Sequence, residues 1–324
     1  MKKILSIGEA TLDCFIFLKD AEVRCQLHDA NCMLCINYAD KILAEKIAFT
    51  VGGNAANTAV SFARMGLESQ LYSVIGDDDN GRKILEALTK EGVDQRYIQQ
   101  FPGMTSYSTA IVFQKERSLL VYHEPREYKL PKFEPVDWVY LTSMGKDYLS
   151  AYEKALAFVK KTGAKLSFNP GSFQLKDGVG VLKKYFAATE VLFVNKEEAM
   201  MLTEQPASAK ISSLAEALYD YGIRIVNITD GPNGAYCFDG QSLLFLEIIP
   251  SEIVQRTGCG DAYGAGFTAA LLCGEHIDEA MRWGMANAAG VVSQIGPQTG
   301  LLSREQLLEM LNDHPTIVPR TIKR

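Results

Sequence analysis

The sequence lacks long apolar runs and blocks of positive charge. No stretch approaches the roughly 18 apolar residues that are needed to cross a bilayer, and the 324 residues carry a formal net charge of −6. Apart from a short basic end at 320–324, no cluster of Lys and Arg offers a footprint for nucleic acid. We therefore expect a protein that binds neither membranes nor nucleic acids.

A convincing secretion signal is also missing. Residues 1–5 begin such a pattern, but Glu9 and Asp13 interrupt it, and no small-residue cleavage site follows an apolar core. We therefore expect a cytoplasmic protein. The length and the hydrophobic fraction of 47% are sufficient for one large globular domain or two medium ones.

The cysteines are few and scattered, with an odd total of seven. This favours reduced thiols over a framework of disulfides. One cluster has the spacing of a tetrahedral zinc site that could hold part of the fold together, and reduced thiols are the alternative there. The four candidate ligands are Cys25, His28, Cys32 and Cys35.

Strand-like and helix-like segments alternate from about residue 50 onward. Apolar runs at 70–75, 136–142, 166–169, 191–195 and 223–229 are typical of strands, and helical periodicity follows at 81–92 and 148–162. This alternation predicts βαβ units and a mainly parallel sheet that is covered on both faces.

Two segments, about 13–50 and 104–128, contain strand-like runs without helices between them. Residues 107–113 and 118–122 could pair as a hairpin around 115–117. We interpret these segments as a small β-rich subdomain inserted into the main fold. Ordinary long loops are the alternative.

A glycine-rich turn at 257–261 stands immediately before a predicted helix. The N–H groups of Gly258, Cys259 and Gly260 would face an anion at the helix N-terminus, where the macrodipole also favours negative charge. Such a cradle suits a phosphoryl group in transfer. Asp261 is either a general base for an attacking hydroxyl or a helix cap, and the local sequence leaves both open.

The same glycines also fit a dinucleotide-binding loop, but weakly. That loop normally follows the first strand of a βαβ unit and leads to a second strand that ends in an acidic residue. Here the turn lies late in the chain, and helical sequence at 277–293 follows it. We therefore favour the phosphate interpretation.

A second glycine-rich motif spans 51–59 and precedes another predicted helix. Gly52 and Gly53 permit a close approach to a ligand, and Asn54 and Asn57 lie on or near the first helical turn. Amide side chains both donate and accept hydrogen bonds, so they suit a polyol. A turn followed by a helix cap is the alternative.

Together these motifs resemble those of the ribokinase-like, or PfkB, kinases, which include ribokinase, fructokinase, ketodeoxygluconate kinase and adenosine kinase. Residues 52–57 and 257–261 are similar to the two family motifs, and further landmarks occur in family order at 8–13, 76–81, 92–94, 195–198, 229–234 and 287–290. The resemblance implies one α/β domain over 1–324 with a three-layer α/β/α ribokinase-like fold. A mainly parallel central sheet would carry a small β-rich lid built from 13–50 and 104–128.

The resemblance also implies an ATP- and Mg²⁺-dependent kinase that phosphorylates an alcohol group of a small sugar or sugar-containing molecule. Asp261 would be the general base, and the amides of Gly258, Cys259 and Gly260 would form the anion hole. The substrate would be bound by residues of the opening strand and the first motif: Asp13, Gly52, Gly53, Asn54 and Asn57.

The nucleotide would be bound by residues of the later landmarks, namely Asn195, Thr229, Gly231, Gly234 and Asn287. Glu198 would order magnesium, mostly through water. By analogy with the family, the lids could also pair in a homodimer.

Three departures from the family pattern bear on the chemistry. Gln255 stands where the family often has an Asp that helps to bind a monovalent cation, so dependence on potassium is left open. Residues 167–171 lack the Asp and Arg that sugar-acid kinases often carry there, which weakens a ketodeoxygluconate substrate. Cys259 makes the turn similar to adenosine-kinase-like members, so a nucleoside is the alternative acceptor.

Some assignments stay open. A catalytically inactive ligand-binding or regulatory protein of the same fold is a further alternative, although the retention of Asn195, Glu198 and Asp261 argues against it. Arg256 is assigned either to a nucleotide phosphate or to the surface. His123 is a candidate contact to substrate from the second lid segment.

Overall fold

A computed structural model describes residues 2–25, 32–114 and 116–322. The strands are β1 (Lys3–Ile7), β2 (Thr11–Leu18), β3 (Glu22–Cys25), β4 (Cys32–Cys35), β5 (Ala44–Gly52), β6 (Glu68–Tyr72), β7 (Val74–Gly76), β8 (Gln99–Phe101), β9 (Tyr107–Phe113), β10 (Glu116–Tyr122), β11 (Trp138–Thr142), β12 (Lys165–Asn169), β13 (Val191–Asn195), β14 (Ile225–Thr229), β15 (Ala235–Phe238), β16 (Leu243–Leu246) and β17 (Arg320–Thr321). The helices are α1 (Asn54–Arg64), α2 (Asp79–Lys90), α3 (Leu149–Thr162), α4 (Ser172–Phe186), α5 (Lys196–Thr203), α6 (Ile211–Tyr219), α7 (Cys259–Cys273), α8 (Ile277–Val292) and α9 (Arg304–Asp313).

A nine-stranded sheet, counted over the described ranges, organises the molecule in the order β17-β16-β15-β14-β13-β12-β11-β1-β6. The run from β14 to β6 is parallel throughout, whereas β14 to β17 pair antiparallel. The prediction of a mainly parallel sheet in a three-layer α/β/α fold is thus confirmed. Because parallel strands end at the same edge, the loops after β13 and β14 lie side by side there.

The strands of this sheet are apolar on both faces because helices cover both. In β13, Leu192 and Val194 pack into the core on one side, and Val191 and Phe193 pack into the core on the other. This explains the continuous apolar run of the strand, which a sheet with one wet face would not require.

A smaller sheet of four strands, in the order β10-β9-β2-β5, stands apart from the large one. Phe15, Ala110 and Val112 on its inner face form a cluster that packs against Ile295 of the main body. The register places Asp13 opposite Ser108, and Arg117 lies on the same inner face because side chains alternate along a strand.

Two expectations about elements need correction. The single strand predicted at 70–75 is two strands, because β6 pairs with β1 in the large sheet while β7 turns away to pair with β8. Helix α4 was not predicted, since Gly178 adopts a positive φ of 73° inside it and breaks the helical periodicity. The other predicted elements are present with boundaries shifted by up to two residues.

The zinc hypothesis is not supported in the described part of the chain. Cys25 and Cys32 form a disulfide that joins β3 to β4, so two of the four proposed ligands are not free thiolates, and the expectation of uniformly reduced cysteines is wrong for this pair. His28 lies outside the described residues. Over the residues described, no group of three or more His, Cys, Asp and Glu side chains is arranged to hold a metal ion.

Within 2–25, 32–114 and 116–322, no helix is long and apolar enough to cross a membrane.

Candidate active site

The N-terminus of α7 is built on a glycine that no other residue can replace without strain. Gly258 caps the helix with a φ of +85°, and a Cβ there would lie 2.5 Å from Cβ of Pro297. In the first turn, the N–H of Cys259 donates to the carbonyl of Arg256 at 3.5 Å. A Cβ on Gly260 would meet nothing within 4 Å, so open space lies in front of the turn.

Asp261 lies at the third position of α7, after the cap, so the interpretation of Asp261 as the N-cap residue is wrong. Its Oδ1 accepts a hydrogen bond from Asn54 at 2.9 Å, and its Oδ2 accepts one from Asn57 at 2.8 Å. Burial raises the pKa of this carboxyl to about 6, although the two amide donors oppose the rise. The group can therefore hold or release a proton near neutral pH.

The two asparagines reach Asp261 because α1 begins immediately before them. Gly53 caps α1 with a φ of +89°, and a Cβ there would lie 2.5 Å from the carbonyl oxygen of Glu9. Positions three apart share one face of a helix, so Asn54 and Asn57 both point at the start of α7. Further bonds from Ser143 to Asn54 and from Gln298 to Asn57 fix the two amides.

Asp13 lies beside Gly52 on the small sheet. A Cβ on Gly52 would lie 2.0 Å from Oδ2 of Asp13, which explains the glycine. Oδ1 of Asp13 accepts hydrogen bonds from Thr11 at 2.9 Å and from Ser108 at 2.6 Å. Burial raises the pKa of this carboxyl, and its charge in turn contributes to the raised pKa of Asp261.

A polar cavity of about 260 Å³ opens in front of α7. It is lined by Asn54, Arg117, Asn169, Phe193, Val194, Asn195, Glu198, Thr229, Arg256, Gly258, Gly260, Asp261 and Tyr263. Eight residues named from the sequence are among them, Arg256 included, and the others come from both motifs and from two later landmarks. A wider surface groove of about 560 Å³ beside α3 and α4 contains none of these residues.

Asn195 and Glu198 form a reciprocal cap at the start of α5. The Asn195 side chain accepts from the N–H of Glu198, and Oε2 of Glu198 accepts from the N–H of Asn195, both at 2.8 Å. Burial raises the pKa of Glu198, and the charges of Glu197 and Asp261 add to the effect. The carboxylate is therefore held in a fixed position at the cavity wall, close enough to Asp261 for the two carboxyl groups to interact.

The remaining nucleotide candidates are placed unequally. Thr229 ends β14 and lines the cavity, whereas Gly231 and Gly234 lie in the following turn outside its lining. Asn287 is fully buried, where its Nδ2 donates to Ser61 and to the carbonyl of Ala262, and its Oδ1 accepts from Leu302. Its amide braces α8 against α1 and α7 and does not line the cavity.

Two arginines also face the cavity, and only one of them had been singled out. Arg256 forms an ion pair with Glu116 at 3.0 Å. Arg117 is half-buried, its Nε has no hydrogen-bond partner among the described residues, and burial lowers the pKa of its guanidinium. The alternation that puts Asp13 on the inner face of the small sheet also applies to Arg117, but sequence gave no way to pair the two strands.

His123 is connected to the site through its contact with Glu9. Its Nδ1 is 2.7 Å from Oε2 of Glu9, and its ring meets Phe173 edge-on at 5.3 Å. This close contact with the Glu9 carboxylate raises the pKa of His123. The carbonyl oxygen of Glu9 accepts a hydrogen bond from the N–H of Ala55, so Glu9 and His123 lie next to the first turn of α1.

Known proteins share both the sequence pattern and the fold. A ribokinase from Haemophilus influenzae is 26% identical over 284 residues, covering 84% of this chain and 90% of the relative. A cytidine kinase from Thermococcus kodakarensis is 29% identical over 268 residues, covering 76% and 88%. The structure of Arabidopsis thaliana ribokinase complexed with ribose and ATP superposes with a TM-score of 0.79 at 19% identity, covering 96% and 98%, which supports a shared fold.

These relatives are sugar and nucleoside kinases, and their similarity extends over most of their own length. The sequence pattern of the family described as "pfkB family carbohydrate kinase" matches residues 1–304. The motifs around Asn54 and Asp261, which that pattern includes, are the ones that meet at the cavity. The chain therefore belongs to the pfkB family of carbohydrate kinases.

Proposed function

We propose that this protein transfers the γ-phosphate of ATP to an alcohol group of a small sugar or sugar-containing molecule, with Asp261 as the general base. The observation that carries the proposal is the pairing of two features at one cavity. A buried carboxylate is held between two amides at the N-terminus of α7, and a half-buried arginine with an unpartnered Nε faces the same space.

The anion would bind where α7 begins. The N–H groups of Gly258 and Gly260 and the helix dipole favour negative charge there, whereas the N–H of Cys259 already donates to the carbonyl of Arg256. The open space in front of Gly260 leaves room for the anion. Arg117 supports this assignment, because a buried guanidinium without a partner is costly and a phosphate oxygen would satisfy it.

The acceptor hydroxyl would lie on the other side of the same turn. Asp261, with its pKa raised to about 6, would take the hydroxyl proton as the oxygen attacks phosphorus. Asn54 and Asn57 fix the direction of the carboxylate, so the proton is accepted at a defined position. Asp13, held by Thr11 and Ser108, is proposed to bind a second hydroxyl of the acceptor.

Glu198 is proposed to order magnesium, mostly through water. The residue fits this role because its carboxylate lines the cavity and its pKa is raised by burial and by the like charges of Glu197 and Asp261, which a divalent cation would offset. When bound, Mg²⁺ would neutralise developing charge on the phosphate oxygens. Asn195 holds the carboxylate in place through the reciprocal cap.

The small sheet is proposed to act as a lid over the cavity, within a single domain. Its inner face carries both Asp13 and Arg117, so closing it would bring an acceptor ligand and a phosphate ligand toward Asp261 together. Closure of this kind excludes water and completes a site in the same movement.

The outer face of the small sheet is proposed to pair with a second copy of this chain. Ile47, Phe49 and Leu120 are exposed there, each at 55% or more. Contiguous apolar side chains on one sheet face are a common form of homodimer contact. Light scattering coupled to size exclusion would test this, and a monomeric mass at high protein concentration would contradict it.

A nucleoside is the second candidate acceptor. The similarity to a cytidine kinase extends over 88% of that relative. The edge-on pair of His123 and Phe173 behind α1 adds an aromatic surface that could contact a base. Both acceptor classes present a ribose-like hydroxyl, so the same base and anion hole would serve either.

A screen of ATP consumption with magnesium tests the proposal directly. The panel would contain ribose, fructose, fructose phosphates, ketodeoxygluconate, ribose 1-phosphate, adenosine, cytidine and inosine. Turnover with one class that is lost in Asp261→Asn supports the kinase and identifies its acceptor. Silence across the panel with ATP still bound would favour the inactive, regulatory alternative.

A further inference from the structure

Gln255 lies in the segment that leads into the candidate anion hole, and it is almost fully buried. Its Oε1 accepts from the N–H of Thr257 at 2.5 Å. Its Nε2 donates to the carbonyl of Thr257 at 3.0 Å and to the carbonyl of Gly296 at 3.4 Å. One amide therefore bridges the segment before α7 and the segment that follows α8.

The bridged segments bear directly on the start of α7. Thr257 is the residue before Gly258, and Gly296 is the residue before Pro297, which lies against Gly258. The backbone adds to the bridge, since the N–H groups of Val254 and Gln255 both donate to the carbonyl of Val292. Any change in the distance between the Thr257 and Gly296 carbonyls would be transmitted to the first turn of α7.

The family resemblance implies a monovalent cation near this position, held with the help of an Asp. The residues present do not fit that ion. Position 255 carries a neutral amide, and the amide nitrogen already donates to the two carbonyl oxygens that it faces. Two carbonyl oxygens that lie close together, one of them on the buried Gly296, are stabilised by a cation or a donor between them, and here the donor is built into the chain.

We propose that the side-chain amide of Gln255 takes the structural place of a monovalent cation, so that the anion hole is assembled without one. Gln255 is then a positioning residue, which acts through Thr257 and Gly258 and does not touch the reactants. The bridge is covalently attached and cannot dissociate. The inference rests on the proposed function only for its turnover measurement.

The first test compares the wild-type protein in potassium, sodium and tetramethylammonium salts at matched ionic strength. We expect the same melting temperature in the three salts. We expect the three kcat values to agree within about twofold, because salts at the same ionic strength screen charges to a similar extent. Stimulation by potassium well above that range, or a potassium-specific rise in melting temperature, would overturn the proposal.

The second test is Gln255→Glu, which keeps the shape and the acceptor for Thr257 but replaces the donor by a carboxylate oxygen. In tetramethylammonium the variant should melt at a lower temperature and lose about tenfold or more in kcat, because the carbonyl oxygens of Thr257 and Gly296 then face an anion. Potassium or sodium should restore a large part of both, since a cation can now bind between the oxygens. If neither potassium nor sodium raises the melting temperature or kcat of the variant, the proposal is contradicted.

Gln306→Glu is the matched control. Gln306 is exposed at the start of α9, where a carboxylate can accept from Ser303 as the amide does. This variant should match the wild type in every salt. If Gln255→Glu does not fold, the wild-type comparison still decides the question. The melting measurements need no acceptor, so a failure of the proposed kinase activity would be seen separately.

Discussion

The cavity has an acid side, formed by Asp261, and a cation side, formed by Arg117. The two sides differ in whether the charged group has hydrogen-bond partners within the protein. Each carboxylate oxygen of Asp261 accepts a hydrogen bond from within the protein, from Asn54 and Asn57, and these two amides are themselves held by Ser143 and Gln298. Arg117 points into the same space with its Nε unpartnered within the described ranges. The carboxylate therefore has partners without any ligand, whereas the Nε of the guanidinium has none among the described residues.

The difference follows from where the two sides are attached. Asp261 and its partners lie on helices that pack on the large sheet, where a rigid surround keeps donors and acceptors at fixed distances. Arg117 lies on the edge strand of the small sheet, which contacts the main body through a small apolar cluster. A carboxylate bonded within the protein and a cation without a bound anion support the proposed site, in which closure of the small sheet would accompany phosphate binding.

Removing the carboxylate should have the largest effect. We expect Asp261→Asn to lower kcat by about two or more orders of magnitude, because an amide cannot accept the hydroxyl proton. ATP affinity, measured by titration calorimetry, should change little, since Asn54 and Asn57 still shape the site. A near-wild-type rate would refute the assignment of the base.

Removing the unpartnered cation should weaken the other side. We expect Arg117→Ala to reduce kcat/KM for ATP by about tenfold or more, because a charge-assisted contact to phosphate is lost. Stability to urea should be maintained or increased, since a half-buried charge without a partner is removed. Arg256→Ala is the matched variant, and its smaller expected loss reflects its exposure and its existing pair with Glu116.

Lowering the pH should reduce turnover by protonating Asp261. The base works only when deprotonated, and burial raises the pKa of Asp261 to about 6. Turnover at saturating substrate should therefore fall as the pH drops through about 6, by about tenfold per unit below it. A profile that stays flat to well below that pH would show that another group takes the proton.

Removing one amide donor at a time should move that profile by a small amount. Both donors lower the pKa of Asp261, with Asn57 contributing more than Asn54. The acid limb should therefore shift to higher pH in Asn57→Ala, and by less in Asn54→Ala. Equal or downward shifts would argue that these amides do not tune the carboxylate.

Sequence predicted the two motifs and the alternation of strands and helices because these signals are local. Glycines that need a positive φ, such as Gly53 and Gly258, stand next to the helices that they cap. Hydrophobic periodicity gave wrong or missing elements where the tertiary structure, and not the local sequence, determines the conformation. The split between β6 and β7 depends on which sheet each strand joins, and α4 is interrupted by a glycine that would ordinarily end a helix.

Residue roles were less predictable than residue positions. Asn287 belongs to a family landmark, yet its amide is consumed in bracing three elements. Arg117 gave no motif signal. The hairpin was predicted with Arg117 in its turn, whereas the structure places Arg117 in β10 opposite Val112, and its place at the cavity depends on how the small sheet sits over α7.

The sequence by itself determined the family, the class of fold and the pair of motifs that form the candidate site. Backbone conformation and hydrophobic periodicity are written in neighbouring residues, so these features can be read locally. Only the tertiary structure decided that Asp261 is bonded by two asparagines more than 200 positions away, that Arg117 faces it without a partner, and that Gln255 bridges two carbonyls. Burial and hydrogen-bond partners depend on distances between segments that are remote in sequence, and these distances exist only once the chain has folded.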